Sequence, residues 1–353
     1  MNAELSASVI DYPARDMTIT VGAGMTFGDM SAILLKENQQ LPIDVADDQV
    51  AIKAMVDQDI AGPRQFGHGT LRDYVIGLTA IDGQGRTFHS GGRVVKNVAG
   101  YDLCRLLTGA QGQLGTITEV TFKLRPLPPD TGLVACGFRN LRDMESALDR
   151  LNVSSTTPVI LDVISRYAAE SLLAESIPEL VRSSRCADSA GILIAGFEGP
   201  KAALEWQTSA LQDELHGTAD WTHPAKLANA SFLYCRTLQK ASTPSEATAW
   251  QARLTTLPSR VTSSIKVLHD CGCDVFGRAG NGVLYVRPSS HRIVGEPPVE
   301  QKGFGTLQSL TSDGQGSVQV LKATAARSGL SSAAVQKYTD QLRALLGSAA
   351  GQD

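Results

Sequence analysis

The run from Gly91 to Lys123, GGRVVKNVAGYDLCRLLTGAQGQLGTITEVTFK, most constrains what this chain can fold into. It strings glycines, a Lys-Asn pair and a Tyr-Asp pair between two strand-forming stretches. Glycines at 91, 92, 100, 109, 112 and 115 permit backbone conformations and close approaches that a Cβ forbids. Two readings of the spacing stand: the glycines make ordinary tight turns, or they bring backbone N–H groups against an anionic cofactor such as a pyrophosphate.

Composition narrows the class. A chain of 353 residues is long enough for two domains. A formal charge of −4 offers no basic surplus, so no nucleic-acid partner is expected. The six cysteines, at 104, 136, 186, 235, 271 and 273, form no CxxC pair and no zinc-like spacing with histidine. That pattern fits a reducing compartment and speaks against a disulfide framework or an iron–sulfur cluster. The histidines have no carboxylates at ligand spacing, so no metal is expected. No stretch approaches the ~20 apolar residues of a spanning helix, and the N-terminal residues lack a signal-like apolar run. The reading is therefore cytoplasmic, with peripheral membrane association left to partners.

Periodicity places the elements. Met17–Gly24 alternates as a strand, and Thr26 to Asp29 has the S/T-x-x-D form that opens a helix over Phe27–Asn38. Phe27, Met30, Ile33 and Leu34 give that helix one apolar face. Tyr74–Ser90 reads as a hairpin around Asp82-Gly83-Gln84-Gly85. A short helix is expected over Leu103–Leu107, and a strand over Thr116–Leu124 that Arg125-Pro126 stops. Prolines at 126, 128 and 129 set a domain boundary. Beyond it, strands at Leu133–Phe138, Val159–Ile164, Ile192–Phe197 and Gly282–Val286 alternate with helices from Arg142, over Ala168–Val181 and over Ala202–Leu215. This describes an α+β lobe with an antiparallel sheet and helices on one face. The expected organisation is residues 1–128, 129–313 and a helical tail over 314–353, with a helix at Ala333–Leu346.

With the elements in place, GG-x-V-x-KNVAGYD followed by L-x-G-x-x-G-x-LG-x-IT-x-V-T resembles the signature of glycolate oxidase FAD-binding (E) subunits, within the vanillyl-alcohol-oxidase/PCMH-type FAD-binding family. Val21–Gly24 with Thr26, Gly62-Pro63-Arg64, and Gly69–Leu78 resemble further family segments, so the likeness covers about residues 9 to 128. It implies a PCMH-type domain that binds FAD noncovalently. Carried over, Gly62, Pro63 and Arg64 would lie beside the diphosphate, with Arg64 neutralising phosphate charge. Lys96, Asn97, Gly100, Tyr101 and Asp102 would run along the flavin, and Gly112, Gly115 and Ile117 would hold the adenine and ribitol side through backbone contacts. Read without the resemblance, Arg64 is a surface ion pair, Tyr101 packs beneath its loop, and His68 is a satisfied loop histidine. The implied activity is oxidation of a short 2-hydroxyacid to the 2-oxoacid, alongside a second flavoprotein (D) subunit and an iron–sulfur (F) subunit.

Three departures accompany the likeness. The family's first Gly-rich loop, of the GGGT type, is lacking, which reads as a truncated start or a weaker grip on the diphosphate. Arg278 stands in FGRAGNG where the family carries histidine, and the closing FNPGR segment is absent. These leave open a non-catalytic structural subunit that has lost flavin, or another flavin oxidoreductase of the same fold.

Overall fold

The computed structural model describes residues 5–92, 101–183, 185–244, 250–289, 306–307, 309–311 and 316–323. They fall into two units, one holding residues up to 61 and from 69 to 127, the other residues 62–68 and those from 128 onward to 327. Their division falls between Leu127 and Pro128, within the proline cluster.

The first unit is organised by strands β1 (Val9–Asp11), β2 (Thr18–Gly22), β3 (Gln39–Gln40), β4 (Val75–Ile81), β5 (Thr87–Gly91), β6 (Thr116–Lys123) and β7 (Arg125–Pro126). Five of them form an antiparallel sheet in the order β1-β2-β6-β4-β5, and β3 pairs with β7. Alternation decides the faces: Ile19 and Val21, Leu78 and Ala80, and Val120 and Phe122 point into one core. Helices Phe27–Leu35 and Ile52–Gln58 cover them with Met30, Leu34, Ile52, Met55 and Val56. Thr26 starts the first helix as its sequence suggests, its Oγ1 accepting the Asp29 N–H at 3.1 Å. The helix ends at Leu35, earlier than the expected Asn38, which takes a left-handed φ of 54° in the following turn.

The hairpin turn is held by one side chain. Asp82 Oδ1 accepts the backbone N–H groups of Gln84 and Arg86 at 2.8 and 2.9 Å, and Gly85 supplies a φ of +82°. These bonds, led by that from the Arg86 backbone, hold the Asp82 carboxyl below the usual range.

The second unit carries β8 (Thr131–Phe138), β9 (Ile160–Ser165), β10 (Gly191–Glu198), β11 (Trp221–Pro224), β12 (Trp250–Thr255), β13 (Cys273–Arg278), β14 (Val283–Pro288) and β15 (Ser317–Ala323). They form one antiparallel sheet in the order β11-β8-β10-β9-β13-β14-β12-β15. The expectation of helices on one face is corrected here. On one face Phe138, Val163 and Leu193 pack with Met144, Leu211 and Ile265 of helices Leu141–Leu151, Lys201–Leu215 and Val261–Asp270. On the other, Ile160, Ile164 and Ile192 pack with Leu172 and Tyr234 of helices Arg166–Leu173 and Ala230–Ser242. A sheet covered on both sides buries successive positions instead of alternating ones, as β9 and β10 do along almost their whole length.

Two further expectations change. The single helix over Ala168–Val181 is two, Arg166–Leu173 and Pro178–Arg182, because Pro178 cannot donate to the preceding turn and starts a new helix instead. Within the expected helical tail, Ser317–Ala323 is a strand paired with β12, and the helix expected at 333–346 lies outside the described residues.

Candidate functional site

The glycine turn of the first unit is the starting point. Gly109, Gln111 and Gly112 all take left-handed conformations, at φ 85°, 54° and 71°. The turn docks on the end of helix Ile52–Gln58, where Gly109 N–H donates to Val56 O at 2.9 Å and Gln111 N–H to Asp57 O at 2.8 Å. Among the described residues the N–H groups of Gly112 and Leu114 have no acceptor. Consecutive left-handed residues with unspent N–H groups form the kind of backbone concavity that takes an anion. Charged side chains of both signs surround it. Lys53 pairs with Asp57, Arg72 lies 3.8 Å from Asp59, and Arg72 Nη2 donates to Thr108 O at 3.0 Å.

Around this turn lie the other first-unit residues singled out from the sequence. Tyr101 is 94% exposed, so it does not pack beneath the loop. Asp102 caps the short helix Leu103–Leu107, its Oδ1 accepting Arg105 N–H at 3.0 Å and its Oδ2 lying 3.3 Å from Arg105 Nε. Gly115 takes φ +153° at the start of β6, and the Ile117 side chain is buried in the core with its Cα opposite Ala80. Only the backbone of Ile117 could therefore face a ligand. Lys96, Asn97 and Gly100 lie outside the described residues.

Gly62, Pro63 and Arg64 belong to the second unit. Gly62 and Pro63 are buried, and Gly62 O accepts Gln65 N–H at 3.0 Å and Arg278 Nη1 at 3.4 Å. Arg64 Nη1 lies 3.3 Å from Glu198 Oε1, and His68 Nε2 lies 2.9 Å from Glu198 Oε2. Burial alone would raise the Glu198 carboxyl, but the His68 hydrogen bond and the Arg64 charge outweigh it and hold the group below the usual carboxylate range. The structure thus spends Arg64 on an ion pair inside this unit.

Arg278 sits at the end of β13, almost wholly buried and opposite Asp162 of β9. Its Nη2 donates to Tyr285 Oη at 3.1 Å, and Tyr234 Oη donates to Asp162 Oδ2 at 3.0 Å. A guanidinium held this way cannot shuttle a proton as histidine would. Burial pushes the Cys136 and Cys273 thiols up to about 12, so neither supplies a thiolate near neutral pH. Among the described residues no cluster of histidine, cysteine and carboxylate groups could hold a metal, and no helix is long and apolar enough to cross a membrane.

The first unit is an α+β fold with an antiparallel sheet and an anion-suited turn, and its similarity to known proteins supports FAD as the cofactor. Residues 3–91 match the family described as FAD binding domain. The chain is 37% identical over 122 residues to glycolate oxidase subunit GlcE of Escherichia coli (strain K12), covering 34% of this chain and 35% of that one. It is 23% identical over 295 residues to glycolate oxidase subunit GlcD of Bacillus subtilis (strain 168), covering 78% and 60%. With D-lactate dehydrogenase of Archaeoglobus fulgidus it shares 27% over 161 residues, covering 46% and 36%. The chain thus spans between 35% and 60% of the length of these curated relatives. A solved structure of alkyldihydroxyacetonephosphate synthase superposes with a TM-score of 0.63 at 15% identity, covering 97% of this chain and 66% of that one, and so shares the fold.

The first unit's donors suit the cofactor's diphosphate. Two unspent N–H groups, a lysine beside them and glycine at the point of approach supply what two linked phosphates accept. Lys53 and Asp57 lie outside the glycine-rich motifs of the sequence. Their spacing of one helical turn, Lys followed by Asp at i,i+4, was the available signal.

Proposed function

We propose that this chain is an FAD-binding subunit of a flavin-dependent 2-hydroxyacid oxidase or dehydrogenase. It binds FAD noncovalently and serves oxidation of a short 2-hydroxyacid such as glycolate to the 2-oxoacid, together with a second flavoprotein subunit and an iron–sulfur subunit. The match of residues 3–91 to the FAD binding domain family carries the reading. The similarity to two glycolate oxidase subunits and a D-lactate dehydrogenase supports the substrate class. Bound FAD supplies the acceptor for the hydride equivalent that leaves the substrate carbon.

On this reading the chain's residues bind and orient. Gly112, Gly115 and Ile117 offer backbone to the nucleotide, and Lys96, Asn97, Gly100, Tyr101 and Asp102 run along the flavin. The resemblance also assigns Gly62, Pro63 and Arg64 to the diphosphate, but Arg64 is paired with Glu198 inside the second unit, and that unit serves as the substrate-side lobe. A non-catalytic structural subunit is a second reading, favoured by one observation: Arg278 is buried and bonded to Tyr285 and Gly62, so its turn offers no acid or base.

The visible spectrum of the purified chain with added FAD separates the readings. Bound-flavin bands that bleach anaerobically on addition of glycolate or D-lactate, in the presence of the partner subunits, are expected. No flavin binding would refute the cofactor assignment, and bound flavin that no 2-hydroxyacid reduces in the complete complex would favour the structural subunit.

A further inference from the structure

The glycine turn holds a cation that the family signature does not include. Lys53 projects from helix Ile52–Gln58 with its side chain 27% exposed, and Asp57, one turn further on, is its partner among the described residues. A Cβ at Gly112 would stand 3.7 Å from both Lys53 Nζ and Asp57 Oδ2. Any molecule lying against Gly112 therefore meets both the ammonium and the carboxylate that holds it. Asp57 Oδ1 is buried without a hydrogen-bond donor, so the carboxylate depends on Lys53 and holds it at the turn.

The chemistry of the place is that of an anion site. A lysine ammonium carries three N–H donors, so pairing with one carboxylate oxygen leaves donors to spare. The unspent N–H groups of Gly112 and Leu114 lie in the same turn, and Gly112 itself is exposed. Other cations near the turn are engaged: Arg72 with Thr108 O and Asp59, and Arg105 with Asp102 at 3.3 Å and Asp73 at 4.0 Å.

We propose that Lys53, held against the Gly109–Gly115 turn by Asp57, is the cationic contact for the diphosphate of FAD. This rests on the FAD reading above. It adds a side chain to a turn for which the sequence signature offers backbone contacts alone, and it moves the diphosphate's cationic contact from Arg64, which is paired with Glu198, to Lys53.

The test compares three ligands on the full-length chain: FAD, ADP as a diphosphate without flavin, and riboflavin as flavin without phosphate. Flavin fluorescence quenching reads FAD and riboflavin, and calorimetry reads ADP. Lys53→Gln should weaken FAD and ADP about tenfold, the scale of one charge-assisted hydrogen bond at a part-exposed site, and reduce the salt dependence of both. Riboflavin affinity should be unchanged. Lys53→Arg should restore FAD and ADP to within about threefold, since it returns the charge. Unchanged FAD and ADP affinity in Lys53→Gln, with the wild type binding both, would overturn the role of Lys53 and leave the FAD reading standing. So would an equal loss for riboflavin, which would mark a damaged fold. Failure of the wild type to bind FAD would overturn the FAD reading and the proposal with it.

Discussion

Replacing Glu198 by glutamine removes one charge from a group of three nearly buried side chains. The side chains of His68, Glu198 and Arg64 are 7%, 11% and 19% exposed, with separations of 2.9 Å to His68 and 3.3 Å to Arg64. Each charge-assisted hydrogen bond contributes about 1.5–3 kcal/mol and a neutral one about 0.5–1.5, so converting both costs about 2–3 kcal/mol. A broken buried ion pair, at about 3–5 kcal/mol, bounds the loss from above. All three tryptophans, Trp206, Trp221 and Trp250, lie in the second unit, so their fluorescence in urea reads that unit alone. The pH dependence carries the sign. Because the folded Glu198 carboxyl is held below its ordinary value of 4.5, its stabilisation is fully present above pH 4.5 and is lost as pH falls through the lower folded value. The gap between wild type and Glu198→Gln should therefore be widest near neutral pH and close on acidification. A gap under about 0.5 kcal/mol at pH 7, against the cited scale, or one undiminished at pH 3, would refute the ion-pair argument.

Gly282→Ala should cost at least about 3 kcal/mol in the same urea assay, because φ is +66° and an added Cβ would run into the Thr256 carbonyl. A loss under about 1 kcal/mol would show that the turn relaxes freely. Tyr234→Phe should cost about 1.5–3 kcal/mol, since it removes the 3.0 Å bond to buried Asp162, and a neutral result would mean that Asp162 finds another donor. Burial lowers the His269 imidazole below its ordinary 6.5, despite the opposing charge of Asp270. Its NMR titration midpoint should fall below 6.5, and its contribution to stability, present above that value, should decline as pH drops through it. A midpoint at or above 6.5 would contradict the burial argument.

The parts of the fold legible in the sequence are those with a single buried face or a specific cap. Helix Leu141–Leu151 shows Met144, Ala147, Leu148 and Leu151 at helical spacing, and Thr26 and Asp82 announce a helix start and a hairpin through side chains that bond their own neighbours. Strand β13 was missed because the sheet is covered on both sides. Cys273–Arg278, CDVFGR, is buried at every position and shows no alternation to detect. Helix Ala230–Ser242 mixes Phe232, which is exposed, with buried Tyr234 and Leu238, so its apolar face is blurred. The site divides the same way. The turn glycines are readable as glycines, but the approach of Lys53 to Gly112 is tertiary, joining a helix to a turn on the far side of a hairpin.

The two glycine-rich segments show what glycine spacing reports in physical terms. In the FGRAGNG segment Gly277 takes φ 150° and Gly282 φ 66°, while the side chain at 278 is a buried guanidinium bonded to Tyr285. In the Gly109–Gly115 turn the glycines again take positive φ, and the neighbouring helix brings an ammonium and its paired carboxylate to it. Glycine spacing reports where the chain must bend, because only steric freedom is at stake. Which ligand that bend serves depends on charged side chains brought in by tertiary folding. In this chain Lys53 and Asp57 stand beside the first unit's glycine turn, whereas Arg64, Glu198 and Arg278 are bonded inside the second, so substitution at the first pair tests binding and at the second set tests stability.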